Sequence, residues 1–271
     1  MARNDSITME SKGLDEMLAA YSQVQDVTIP ELTRKHARLL AVELANRTQP
    51  FSVGKGGAVE GKERGTTRTR FEMERLFNGE QMFRDIIDGT ENKRLATRFR
   101  KMQSAGQWQE LAALMRKIGI IKKPLKVVSS SKSAHQSHRN KTSGRVYSNR
   151  RIDAIHISKN SDKYINETVK KVGMSKAGWA ACARLIQGIK GDPARGIPAW
   201  AKKKAHGRHG RVVDRTQNKE NPRIHLTNTI PWISRICPAR EQKIALRIVH
   251  EKMLKSIKRA LAHARKAKST S

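Results

Sequence analysis

Leu14, Met17, Leu18, Tyr21 and Val24 recur at the spacing of one helix face, so the pattern predicts an amphipathic helix over 12–25. A break at Asp26 and Val27 follows. Thr28-Ile29-Pro30-Glu31 then has the form of a capping box: Thr28 accepts from a first-turn amide, Glu31 reaches back, and Pro30 stands where no helical hydrogen bond is lost. The second helix carries Leu32, Ala37, Leu39, Leu40 and Leu44 and stops near Arg47, because the residue before Pro50 resists the helical conformation.

Five glycines and few apolar groups mark 52–67 as a loop of functional-arm length. Gly54-Lys55-Gly56-Gly57 has neither a preceding strand nor the Lys-Ser/Thr ending of a nucleotide loop. From 69 to 119 the apolar pattern is helical again (Phe71, Leu76, Phe83, Ile87, Phe99, Leu111, Met115), punctuated by Gly79, Gly89 and Gly106. The Ser-rich, basic stretch 129–148 reads as a linker or extended arm. Ile152, Ile155 and Ile157 supply one strand, 161–172 and 175–189 two helices broken at Gly173, and 191–210 a loop. Ile224, Leu226 and Ile230 alternate with polar residues as a half-buried strand that Pro231 ends. A long helix over 239–267 closes the chain, apolar through Ile244, Ile248, Met253, Leu254, Ile257 and Leu261, with nine basic residues crowding its other faces.

These elements describe an α+β protein: long terminal helices on a small sheet, with a helical insertion and long basic loops. The expected divisions are 1–68 (helices and glycine-rich arm), 69–128 (helical insertion), 129–151 (basic linker) and 152–271 (α+β module), with the first and last forming one domain.

The 271 residues hold 56 Lys and Arg against 24 Asp and Glu, a formal charge of +32, and self-repulsion on that scale favours a negatively charged neighbour. Eleven basic residues and no carboxylate lie between Glu110 and Asp153. The candidate contacts to nucleic acid or an acidic partner are Lys122, Lys123, Lys126, Lys132, Arg139, Lys141, Arg145, Arg150 and Arg151, then Lys202, Lys203, Lys204, Arg208 and Arg211. Aromatics are 4% of the chain, too few for an RNA-stacking platform, so the positive charge reads as unspecific. With 37% hydrophobic residues, a modest core is expected to be extended by subunit contacts.

No catalytic elbow, zinc-protease helix or Cys-x-x-Cys pair appears, and the carboxylates are scattered, so no enzyme, cofactor or metal is expected. His135 with His138 and His206 with His209 have ligand spacing, but their cationic surroundings make them solvated loop histidines. Cys182 reads as a buried free thiol. No apolar run suits a membrane span and residues 1–10 lack a signal-peptide pattern, so synthesis in a reducing cytoplasm is expected.

The order of elements resembles the neck and tail-completion proteins of tailed bacteriophages. The residues that carry the resemblance are Thr48-Gln49-Pro50-Phe51 before the glycine-rich segment, Val172-Gly173-Met174-Ser175-Lys176-Ala177-Gly178-Trp179, Ile197-Pro198-Ala199-Trp200, and Leu226-Thr227-Asn228-Thr229-Ile230-Pro231-Trp232 before the last helix. Trp179, Trp200, Asn228, Pro231 and Trp232 are the implied packing or interface anchors. The resemblance implies a homo-oligomeric ring in the virion, made in the host cytoplasm, joining the head connector or portal side to the tail terminator or tube, with double-stranded DNA in its lumen and no membrane. The insertion 69–119 lies outside the matching segments. The alternative reading is a non-sequence-specific nucleic-acid-binding protein, ribosome-associated or a packaging factor.

Overall fold

The computed structural model describes residues 28–50, 57–140, 145–148, 151–158, 160–218 and 222–269; side chains at 57–60, 261 and 263–269 are outside the description. The helix expected over 12–25 lies outside the described residues.

In chain order the elements are α1 (Ile29–Arg47), α2 (Gly57–Leu76), α3 (Gly79–Asp88), α4 (Lys93–Ser104), α5 (Trp108–Lys117), β1 (Leu125–Val127), α6 (Ser131–Ser137), β2 (Ile155–Ile157), α7 (Ser161–Lys170), α8 (Met174–Leu185), α9 (Ala199–Lys202), a 3₁₀ turn (Gly207–His209), β3 (Gly210–Arg215), β4 (Arg223–Asn228), α10 (Ile233–Ile236) and α11 (Ala239–Ser269). The protein is α+β, with two two-stranded sheets: β1 and β2 parallel, β3 and β4 antiparallel. No helix among the described residues is long and apolar enough to cross a membrane.

The chain divides into two compact units, residues 1–62 with 173–271, and residues 63–172. In the first, α1 packs on α8 and α11, and α8 also lies against the β3–β4 hairpin. The capping box forms as expected: the Thr28 amide donates to Glu31 Oε2 (2.9 Å) and the Glu31 amide to Thr28 Oγ1 (3.4 Å). Ala41, Leu44 and Ala45 of α1 meet Trp179, Ala180, Cys182 and Ala183 of α8, Cys237, and Ala245 of α11. Small side chains dominate that seam, which lets the three helix backbones approach closely.

In the second unit, α3, α4 and α5 close on Phe83, Ile87, Phe99, Leu111 and Met115, joined by Leu125 of β1 and Ile155 and Ile157 of β2. A neighbouring cluster holds Met73, Leu76 and Phe77 of the α2 end with Ala134, Val146, Ile152 and Ile165.

Three expectations need correction. The glycine-rich segment is helical from Gly57 onward, since its Glu, Lys and Arg residues favour a helix, and Gly61 within it is buried. The described parts of 129–148 are not a free arm: Ser130 caps α6 by accepting from the Ser133 amide, and Ala134 and Val146 are buried. Residues 152–172 belong with the helical insertion, because β2 pairs with β1 (Leu125 opposite Ile155) and Ile165 of α7 fills the same cluster as Met73.

Candidate functional site

The segments that carry the family resemblance meet in one core of the first unit. Thr48, fully buried at the end of α1, donates its hydroxyl to the Leu44 carbonyl (2.7 Å) and accepts from the indole N–H of Trp179 (3.1 Å). Lys176 is also fully buried, and its Nζ donates to the Ala45 carbonyl at 2.6 Å. Burial pulls this ammonium's pKa down to about 7, opposed in part by the neighbouring Cys237 sulfur, whose own thiol burial pushes up. The Gln49 amide donates to the Ile236 carbonyl (3.2 Å), joining the end of α1 to the turn before α11.

Asn228 at the end of β4 bridges two elements. Its Nδ2 donates to the Ser175 carbonyl (2.8 Å), and its Oδ1 accepts from the Ile230 amide (3.1 Å), closing an Asx-type turn. Gly178 faces it, where any Cβ would collide with the Asn228 amide. Gly173 starts α8 with φ of 89°, and Trp200 packs directly over it. Pro231 is exposed and Trp232 only partly buried, so the strand-to-helix exit is fixed by Asn228 rather than by Trp232. Cys182 lies beneath the hairpin, its thiol 3.4 Å from the Thr227 carbonyl, and burial pushes its pKa up to about 12. Both cysteines are free.

The candidate cations divide between the units. In the first, Lys203, Arg208 and Arg211 are exposed, Lys202 bonds Asp192 (2.8 Å), and Lys204 is half-buried with a lowered pKa, by burial first and then by Lys62. In the second, Lys122, Lys132, Arg145 and Arg151 are exposed, while Lys126 lies 3.6 Å from Asp153. Lys123 donates to the Ile152 carbonyl and Arg139 is half-buried, so both take part in holding the fold. Lys141 and Arg150 lie outside the described residues.

A more regular cationic surface lies outside the candidate residues. On α4, Arg94, Thr97, Arg98 and Lys101 are turned outward, opposite the buried Ala96 and Phe99, and Asn92 caps the helix by accepting from the amides of Arg94 and Leu95. No ion pair forms to Lys93, Arg94, Arg98 or Lys101 among the described residues, whereas Arg100 pairs with Asp88 at 3.2 Å. The signal was the i, i+3, i+4, i+7 spacing of the polar positions. Lys176 had no such signal, since a lysine in a helix reads as solvated until its neighbours are known.

The histidines also differ from expectation. His135 is buried in α6, with Nδ1 2.8 Å from the Tyr164 hydroxyl, and desolvation brings its pKa down to about 4. His209 is buried, its ring 5.3 Å from that of His206. His135 sits within α6 and His209 in the 3₁₀ turn, whereas His206 is an exposed loop residue, as its cationic surroundings imply. Among the described residues no three His, Cys, Asp or Glu side chains converge as a metal site would require.

No family model matches the chain, and comparison with curated proteins and with solved structures finds no match.

Proposed function

We propose that this chain is a structural protein of a tailed-phage virion, part of the neck or tail-completion ring that joins the head connector to the tail around the DNA path. The observation that supports this reading is the convergence of Thr48, Trp179, Trp200 and Asn228, from four segments far apart in sequence, on one core. A module organised around those positions is what the resemblance implies. Surplus cations on both units suit a protein beside DNA phosphates or acidic neighbours. The ring supplies the subunit contacts a lean core calls for, and exposed Leu39 and Leu185 on α1 and α8 are apolar surface for such contacts.

Deleting the gene from the encoding phage should leave DNA-filled heads and separate tails, visible by electron microscopy and joined again when the protein is supplied. Intact particles without the protein would refute the proposal.

A second reading, a general nucleic-acid-binding protein, is favoured by the unpaired α4 cations, which lie outside the segments that carry the resemblance. Its signature is a monomer that binds duplex DNA of any sequence at physiological salt.

A further inference from the structure

The second unit contains a cleft of about 330 Å³ between the end of β1, the Ser129-Ser130 turn, one side of α6 and His156 of β2. Its polar lining is unusual in kind. Four serines (Ser129, Ser130, Ser133, Ser137), Lys126 and two histidines, His138 and His156, line it, and no carboxylate does.

These groups are arranged as donors. Ser130 Oγ accepts from the Ser133 amide (3.3 Å), which leaves its proton free to donate, whereas Ser137 spends its proton on the Ala134 carbonyl (2.9 Å). Asp153, exposed and absent from the lining, lies 3.6 Å from Lys126 Nζ and 3.7 Å from His138 Nε2, so it ties both side chains at the cleft without entering it. The two imidazoles stand edge to face at 4.5 Å. His156 is 2% exposed, yet its Nδ1 has no hydrogen-bond partner. A buried polar atom left unpaired costs free energy, and this one belongs to a side chain that forms part of the cleft wall.

We propose that this cleft binds a phosphate group, with Lys126 supplying charge, Ser129, Ser130 and Ser133 donating to its oxygens, and the His138 and His156 rings completing the wall. A cation is disfavoured by Lys126, and a neutral apolar ligand would leave the hydroxyls unpaired. A tetrahedral oxyanion accepts several hydrogen bonds at once, matching donors that converge from a strand, a turn and a helix. The site stands apart from the proposed virion role and does not require it. Its phosphate can belong to a nucleic acid or to a small phosphate-bearing molecule.

The groups electrostatically coupled to His156 are His138, Lys126 and Asp153. Burial, then His138 and Lys126, brings its pKa down to about 4, and a bound phosphate adds negative charge that opposes all three effects. The imidazole signals of His138 and His156 should therefore move in ¹H–¹⁵N spectra of the full chain titrated with inorganic phosphate at constant ionic strength, chloride being the control. Lys126→Gln and Ser133→Ala, both at exposed positions, should each weaken that response about tenfold, while Lys203→Gln should not.

Three further titrations identify the source. A response to a 5′-phosphorylated oligonucleotide but not to its 5′-hydroxyl form assigns a nucleic-acid end, equal responses assign backbone phosphate, and a response to inorganic phosphate alone assigns a small molecule; each supports a phosphate site. Imidazole signals that stay still under every phosphate, or Lys126→Gln and Ser133→Ala proteins that respond like the parent, would overturn it.

Discussion

Lys176 of α8 donates from its buried Nζ to the Ala45 carbonyl of α1 at 2.6 Å, a bond across the seam between these two helices that is charge-assisted while the lysine is protonated. The amide four residues on, that of Gln49, is turned to the Ile236 carbonyl, and Ala45 receives only a 3.3 Å bond from the Thr48 amide. Lys176 thus satisfies an acceptor that the end of a helix leaves underused. The charge that strengthens that bond is the one burial disfavours.

That conflict makes stability depend on pH with a definite sign. Lys176 titrates near 7 in the folded chain against an ordinary 10.5, so between those values the unfolded chain holds the extra proton and stability rises with pH. Below about 7 both states are protonated and the slope vanishes. Cys182 acts oppositely above its ordinary 9.0, because the unfolded thiol ionises while the folded one does not until about 12. The unfolding free energy from urea titrations should therefore rise from pH 7 to 9, by at most about 2.7 kcal/mol from this lysine, and Lys176→Met should flatten the rise. Parent and variant with parallel pH profiles would contradict it.

Acid should act most strongly on the second unit. His135 and His156 there, and His36 in the first unit, all titrate near 4 against an ordinary 6.5, chiefly because of desolvation. Between those values the unfolded chain takes up protons that the folded chain refuses, so stability falls as pH drops through the window. Hydrogen exchange at pH 5 against pH 7 should show protection lost over 63–172 before α1 and α8. Equal loss in both units would contradict the assignment.

Asn228 should matter more than Trp232. Asn228→Ala leaves the Ser175 carbonyl and the Ile230 amide without their partners in a buried place, a cost of roughly 2–4 kcal/mol. Partly buried Trp232 loses less on truncation to Ala, about 1–2 kcal/mol. Thermal melts of the two variants give the order directly, and a more damaged Trp232→Ala protein would reverse it.

Which parts of the fold were legible beforehand follows local physics. The capping box at Thr28, the end of α1, the β4 strand and the long α11 were readable because periodicity and caps act within a few residues. The role of Asn228 was partly readable, since its side chain bonds the Ile230 amide two residues on, but its bond to Ser175 spans 53 positions. Strands β1 and β3 were missed: β1 is only three residues long, and β3, Gly210–Arg215, holds just Val212 and Val213 among polar neighbours. The arms misread at 57–67 and 131–137 lack apolar stripes, and tertiary packing of Gly61, Ala134 and Val146 sets their conformation.

Salt dependence separates the cationic surfaces. Arg94, Arg98 and Lys101 have no carboxylate partner among the described residues, so replacing all three by Gln should flatten the log-log salt slope of DNA binding by about 0.9 for each phosphate left without its cation. Replacing Lys202, Lys203 and Lys204 should flatten it less, because Lys202 is held by Asp192 and Lys204 is half-buried. Neither change should alter preference among DNA sequences. A larger effect from the lysine triplet would shift the interface to the first unit.

The proposed ring role in a phage neck is checked by the mass and shape of the purified protein, or of its complex with the head connector, by light scattering and negative-stain electron microscopy. A closed homo-oligomeric ring with a central hole wide enough for duplex DNA is the expected result. A monomer that neither closes nor joins the connector, and that holds a particular DNA sequence at high salt, would contradict it.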